Sequence, residues 1–153
     1  MLSSRKKRES GASLVEMALV APFLVLLLLG IVEFGWKFGQ FNEVRHGTRE
    51  AARFAAVSEP DLDGDTDFDE DDIVVAVCNA LNLAGTASVD LDLQLVTGDQ
   101  IGDTARITLT MDTPALSGAP LISQFLPTEL SNEVLFRLEQ PAEWSAQTFT
   151  NQC

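Results

Sequence analysis

The sequence predicts an α+β molecule: a long N-terminal transmembrane helix, a second helix and a small three-stranded antiparallel sheet. Three observations predict it. Residues 11–32, GASLVEMALVAPFLVLLLLGIV, are almost wholly apolar and carry a single charge, Glu16. Residues 33–57 continue at helical spacing, and a second apolar pattern with that period begins at Ile73. After Gly85, three segments alternate apolar and polar residues, the period of half-buried strands. A chain of 153 residues accommodates one membrane segment and one small domain.

The first element is set by its length and flanks. A helix needs about twenty apolar residues to cross the hydrocarbon core. Met17 to Val32 is free of charge, and Ala12 to Val15 extends the stretch on the other side of Glu16. The basic cluster Arg5-Lys6-Lys7-Arg8 precedes it, which places the N-terminus in the cytoplasm and the remainder outside. A cleavable secretory signal would end in a small-x-small site, but LLLLGIVEFGWKF is bulky and aromatic. A buried soluble helix fits the unbroken Leu run and its basic flank poorly. Pro22 removes one backbone hydrogen bond mid-span. A carboxylate inside a membrane costs several kcal/mol. Glu16 therefore lies at the cytoplasmic interface or is neutralised by a positive charge.

The net charge of −13 is unevenly placed. Beyond Arg53 only Arg106 and Arg137 are basic, so the C-terminal part is strongly acidic. Such a surface repels phosphate, and nucleic acid is not an expected partner. The chain divides into a basic leader (1–11), a helix (12–57), an acidic loop (58–72) and an extracytoplasmic α+β domain (73–153).

In the string GASLVE, Gly11 precedes Glu16 by five places, after a basic leader and before an apolar run. This resembles the class III signal of type IV pilins and pseudopilins. The longer string GASLVEMALVAPFLVLLLLGIVEFGWKFGQFNEVRHGTREAARFAA resembles more closely the TadE-like pseudopilins, the minor pilins of tight-adherence (Tad/Flp) pilus systems. The shared parts are the glycine, VEMALV, Pro22, the Leu-rich core, GIVEFG and the polar helix ending in TREAARFAA. Met17 stands where relatives often carry an aromatic residue. The resemblance implies a pilin-like helix and cleavage by a prepilin peptidase between Gly11 and Ala12, with Glu16 the fifth residue of the product. It implies as partners that peptidase, other pilins and pseudopilins, and the pilus assembly platform, with membrane lipid around the span. The competing class is an uncleaved bitopic anchor that displays an acidic, calcium-binding interaction module.

In the helix after the span, Phe34, Phe38 and Phe41 match an interfacial aromatic belt. Gly30, Gly35, Gly39 and Gly47 each weaken a helix by up to about 1 kcal/mol, and in exchange permit close packing or bending. Val44, Ala51, Phe54 and Ala55 form an apolar stripe, and Arg45, Arg49 and Arg53 a basic one, with Glu50 placed to pair with Arg53. The lone His46 reads as a surface residue.

Pro60 is expected to end this helix. Then Asp61, Asp63, Asp65, Asp67, Asp69 and Asp72 recur with the spacing of an EF-hand loop, and calcium is the candidate ion. Thr66 stands in place of the usual glycine and Asp72 in place of the bidentate glutamate. The alternative is a solvated anionic loop that caps the next helix.

That helix is expected over 73–83, closed by Gly85, with Val74, Val77, Cys78 and Leu81 on one face. The strands are expected over 88–96, 105–111 and 132–139, with a turn at Gly98 to Asp103 and Leu121, Ile122, Phe125 and Leu126 in a short helix between the last two. Inward positions are Val89, Leu91, Leu93, Leu95; Ile107, Leu109, Met111; and Val134, Phe136, Leu138. Two thiols outside the membrane, Cys78 and Cys153, point to one disulfide. No nucleophile with a base, phosphate loop or Cys/His cluster is present, and an enzyme is not expected.

Overall fold

The computed structural model describes residues 5–58, 68–81, 88–113, 116 and 124–153, with backbone alone for 5–10, 151 and 152. The expected helix stop at Pro60, the close of the second helix at Leu83 and Gly85, and Leu121 and Ile122 lie outside the described residues.

Helix α1 spans Arg5–Val57 as one element and contains Pro22. Its two halves have opposite surroundings. From Leu14 to Val32 the large apolar side chains are exposed, Phe23 the most, at 72%. From Glu33 onward one face is covered: Glu33, Lys37, Val44, Thr48, Ala51, Ala52 and Ala55 are buried. At about 100° per residue they fall within one sector of the helix, a single face. Gly47 sits at the closest approach. A Cβ there would meet Leu81 Cδ2 at 3.0 Å and Leu109 Cδ2 at 3.3 Å. Around Gly30, Gly35 and Gly39 a Cβ would meet nothing within 4 Å.

Helix α1 stops where Ser58 adopts φ 49, the left-handed cap conformation, and its amide donates to Phe54 O at 2.9 Å. The last carbonyls of a helix have no partner within it. Here the chain following the third strand supplies donors: Glu139 N reaches Ala56 O at 2.8 Å and Trp144 Nε1 reaches Ala55 O at 2.9 Å.

Helix α2 spans Glu70–Ala80, three residues earlier at each end than its apolar pattern predicts. The N-cap decides the start. Asp69 Oδ1 accepts from Asp71 N at 2.8 Å and Asp72 Oδ2 accepts from Asp69 N at 3.1 Å, a reciprocal capping box. The end comes at Leu81, which is extended (φ −85, ψ 104) and buried.

The sheet has four strands rather than the expected three: β1 (Val89–Leu95), β2 (Thr104–Asp112), β3 (Glu129–Arg137) and β4 (Gln147–Gln152). Its order is β3-β2-β1-β4 and all described pairs are antiparallel. The fourth strand returns beside the first, the arrangement of a Greek key. Only Phe149 gives β4 a large apolar side chain, so its alternation is illegible in the sequence. Strand β3 begins at Glu129, three residues before its expected start. The β1–β2 hairpin turns through Gly102, whose φ of 88 favours glycine.

Register aligns the inward residues as expected. Leu91 faces Leu109, and Leu93 faces Ile107, which in turn faces Val134. Both helices cover this one side of the sheet. Ile73, Val77, Leu81, Leu91, Ile107, Leu109 and Met111 close the core with α1. Trp144 joins it and packs on Phe136, ring centroids 6.4 Å apart. Cys78 of α2 and Cys153 after β4 form a disulfide, with Cα atoms 5.4 Å apart.

Candidate functional site

The residues singled out for processing lie on α1. Gly11, Ala12 and Glu16 are all exposed on the continuous helix. A Cβ at Gly11 would touch nothing within 4 Å, so packing in this chain does not require a glycine there. Ala12 and Glu16 are four residues apart and share a helix face, about 6 Å apart along the axis. The apolar run of α1 is not buried anywhere inside the molecule. Length, apolarity and exposure are those of a single-pass membrane anchor.

At the far end of the apolar run lies a group of contacts that the sequence pattern does not reveal. Glu33 immediately follows Val32, and Lys37 follows one turn later. Both are buried, at 1% and 6% exposure. Glu33 Oε1 accepts from Leu116 N at 2.6 Å, and Lys37 Nζ donates to Thr113 O. Thr113 N in turn donates to Thr128 O at 2.7 Å, across the base of the β2–β3 loop. Two opposite charges on the helix thus clasp the chain that leaves β2. Their i,i+4 spacing on α1 is legible, but their loop partners are 76 and more residues away.

The basic stripe is exposed. Arg53 pairs with Glu50 at 2.7 Å and lies over the Phe54 ring, and Arg45 lies over Phe41. His46 is exposed.

Of the six carboxylates aligned with a calcium loop, Asp61, Asp63, Asp65 and Asp67 lie outside the described residues. Asp69 and Asp72 spend oxygens on the α2 cap, and Asp72 is fully buried. Among the described residues no group of three or more His, Cys, Asp or Glu is arranged to hold a metal ion. Glu70 faces the other way and accepts from Ser145 N at 2.6 Å and from Ser145 Oγ. Burial pushes its pKa up, but the hydrogen bonds from Ser145 and from its own amide outweigh that and hold it below the usual carboxylate range.

The apolar run, its glycine and the polar helix beyond it agree with one family model. Residues 11–53 match that of the TadE-like protein family. The match opens on Gly11 and ends within the helix that packs on the sheet, so the domain beyond residue 53 lies outside it. No curated protein and no solved structure matches the chain. A TadE-like segment on an exposed apolar helix fits a membrane-anchored component of a tight-adherence (Tad) pilus system.

Proposed function

We propose that the chain is a pseudopilin acting in assembly of a tight-adherence (Flp) pilus, and that a prepilin peptidase cuts it between Gly11 and Ala12. The observation that carries the reading is the TadE-like match, which opens on the glycine of the cut. The protein stands in the cytoplasmic membrane with its N-terminus inside and its disulfide-bonded domain outside, available for incorporation into a pilus. Its partners are the peptidase, other pilins and pseudopilins, and the assembly platform.

The chemistry derives from the helix. Glycine in a helix interior costs about 1 kcal/mol relative to alanine, so Gly11 loosens α1 locally at the site of the cut. The cut leaves an ammonium on Ala12, one turn before Glu16 on the same face. In low dielectric the two attract strongly, and desolvation offsets much of the gain. Glu16 pairs with its own terminus or with that of a neighbouring subunit. A neighbour's ammonium would set axial register, because a misplaced subunit leaves a charge unpaired. The exposed surface from Leu14 to Val32 supplies the lateral packing.

Mass spectrometry of the protein extracted from membranes that contain the peptidase tests the cut. The expected N-terminus is Ala12, methylated or not, and Gly11→Ala is expected to retain the leader while leaving the domain folded. An intact Arg5–Arg8 leader on the unaltered protein, with pili forming normally, would return the chain to an uncleaved anchor. Glu16→Gln is expected to be cut and to assemble poorly.

A further inference from the structure

We propose that Leu116, in the β2–β3 loop, makes a second membrane contact, its side chain seated in the headgroup–acyl boundary of the outer leaflet. The proposal rests on reading residues 12–32 as the membrane span.

Height along α1 carries it. Twenty-one residues at a rise of about 1.5 Å cover roughly 31 Å, close to the thickness of the hydrocarbon core. Glu33 therefore stands where hydrocarbon gives way to headgroups. The 2.6 Å bond from Leu116 N to Glu33 Oε1 brings the loop backbone to that same height. Lys37 holds Thr113 about one turn further out, so Leu116 stands nearer the bilayer than Thr113 does. The Leu116 side chain is 54% exposed in the molecule alone. On the other arm of the loop base Phe125 is 84% exposed, two residues before Pro127, whose carbonyl lies 3.5 Å from Thr113 Oγ1.

Aromatic rings flank the sector of the helix that the clasp occupies. At about 100° per residue, Phe34 and Phe38 lie about 100–140° around the axis from Glu33, and Trp36 about 60° to its other side. These rings are exposed, as an interfacial belt requires. The sector between them is taken by Glu33 and Lys37, whose charges are covered by the loop, and there Leu116 supplies the apolar side chain. The clasp sets opposite charges against each other, so lipid, and not an ionic partner, is the occupant that matches an apolar side chain at this height. The domain is thereby held at one rotation about α1, and its departure from the bilayer draws Leu116 out of the boundary.

Spin labels on the full chain in phosphatidylcholine vesicles test this. Labels are placed singly at Leu116→Cys, at Phe125→Cys, at Leu135→Cys on the solvent face of β3, and at Val25→Cys in the span, with the native disulfide intact. The label at 116 is expected to be about tenfold less accessible to a water-soluble paramagnetic quencher than that at 135, and to fall at the depth of the acyl–headgroup boundary. The label at 125 is expected between the two. Equal aqueous access at 116 and 135, with 25 buried in lipid, overturns the contact and leaves the span standing. Aqueous access at 25 overturns both. Protection at 116 that vanishes when the lipid-to-protein ratio is raised assigns the site to a second copy of this chain and also overturns it.

Discussion

Glu70 is a carboxylate whose surroundings stabilise its charged form. Ser145, 75 residues further along the chain, offers it an amide and a hydroxyl. Its folded pKa lies below the unfolded one, so the stabilisation is present above the unfolded pKa and is lost as pH falls through the folded value. We expect the melting temperature of the detergent-extracted protein to fall as pH is lowered through and below the carboxylate range, and Glu70→Gln to shrink that fall. Identical pH profiles for the two proteins would remove Glu70 from the account. Glu33 illustrates the limit of reading residues singly. Its place after Val32 is plain in the sequence, but only the fold reveals that Leu116 N is its partner.

Glycine has two different uses within α1. At Gly47 the helix touches Leu81 and Leu109, so an added side chain has nowhere to go. Gly47→Leu is expected to destabilise the domain by about 1–3 kcal/mol, the usual cost of overpacking. Gly35 faces open space, and Gly35→Ala is expected to stabilise the helix by up to about 1 kcal/mol. Chemical denaturation in detergent reads both, and a neutral Gly47→Leu would show that α1 does not approach the sheet this closely. The two glycines look alike in sequence because nothing local distinguishes a residue under Leu109 from one facing open space. Element boundaries failed for related reasons. Helix α2 starts at Glu70 because Asp69 and Asp72 cap it, while the expected start lay at the first apolar residue. Strand β4 was invisible because hydrogen bonding to β1, with only Phe149 for anchorage, places it at the sheet edge.

For the molecule as a whole, the disulfide ties the last residue to α2 across a separation of 75 residues. Closing a loop of that length in the unfolded chain is worth about 4 kcal/mol on the chain-entropy account. Reduction is expected to lower the stability of the domain by about that amount and to release β4 first, since that edge strand has few apolar contacts. Hydrogen exchange in the presence and absence of reductant checks it. Unchanged protection of β4 amides after reduction would show that pairing with β1 suffices.

Local pattern suffices for the apolar span, the glycine and carboxylate that precede its core, the acidic character of the domain beyond the helix and three of the four strands. These are periodic or compositional properties, carried by residues close together in the chain. The folded chain adds the fourth strand, the close contact at Gly47 and the clasp between α1 and the β2–β3 loop. Each of those depends on partners brought together from distant positions, and burial, not local pattern, selects them.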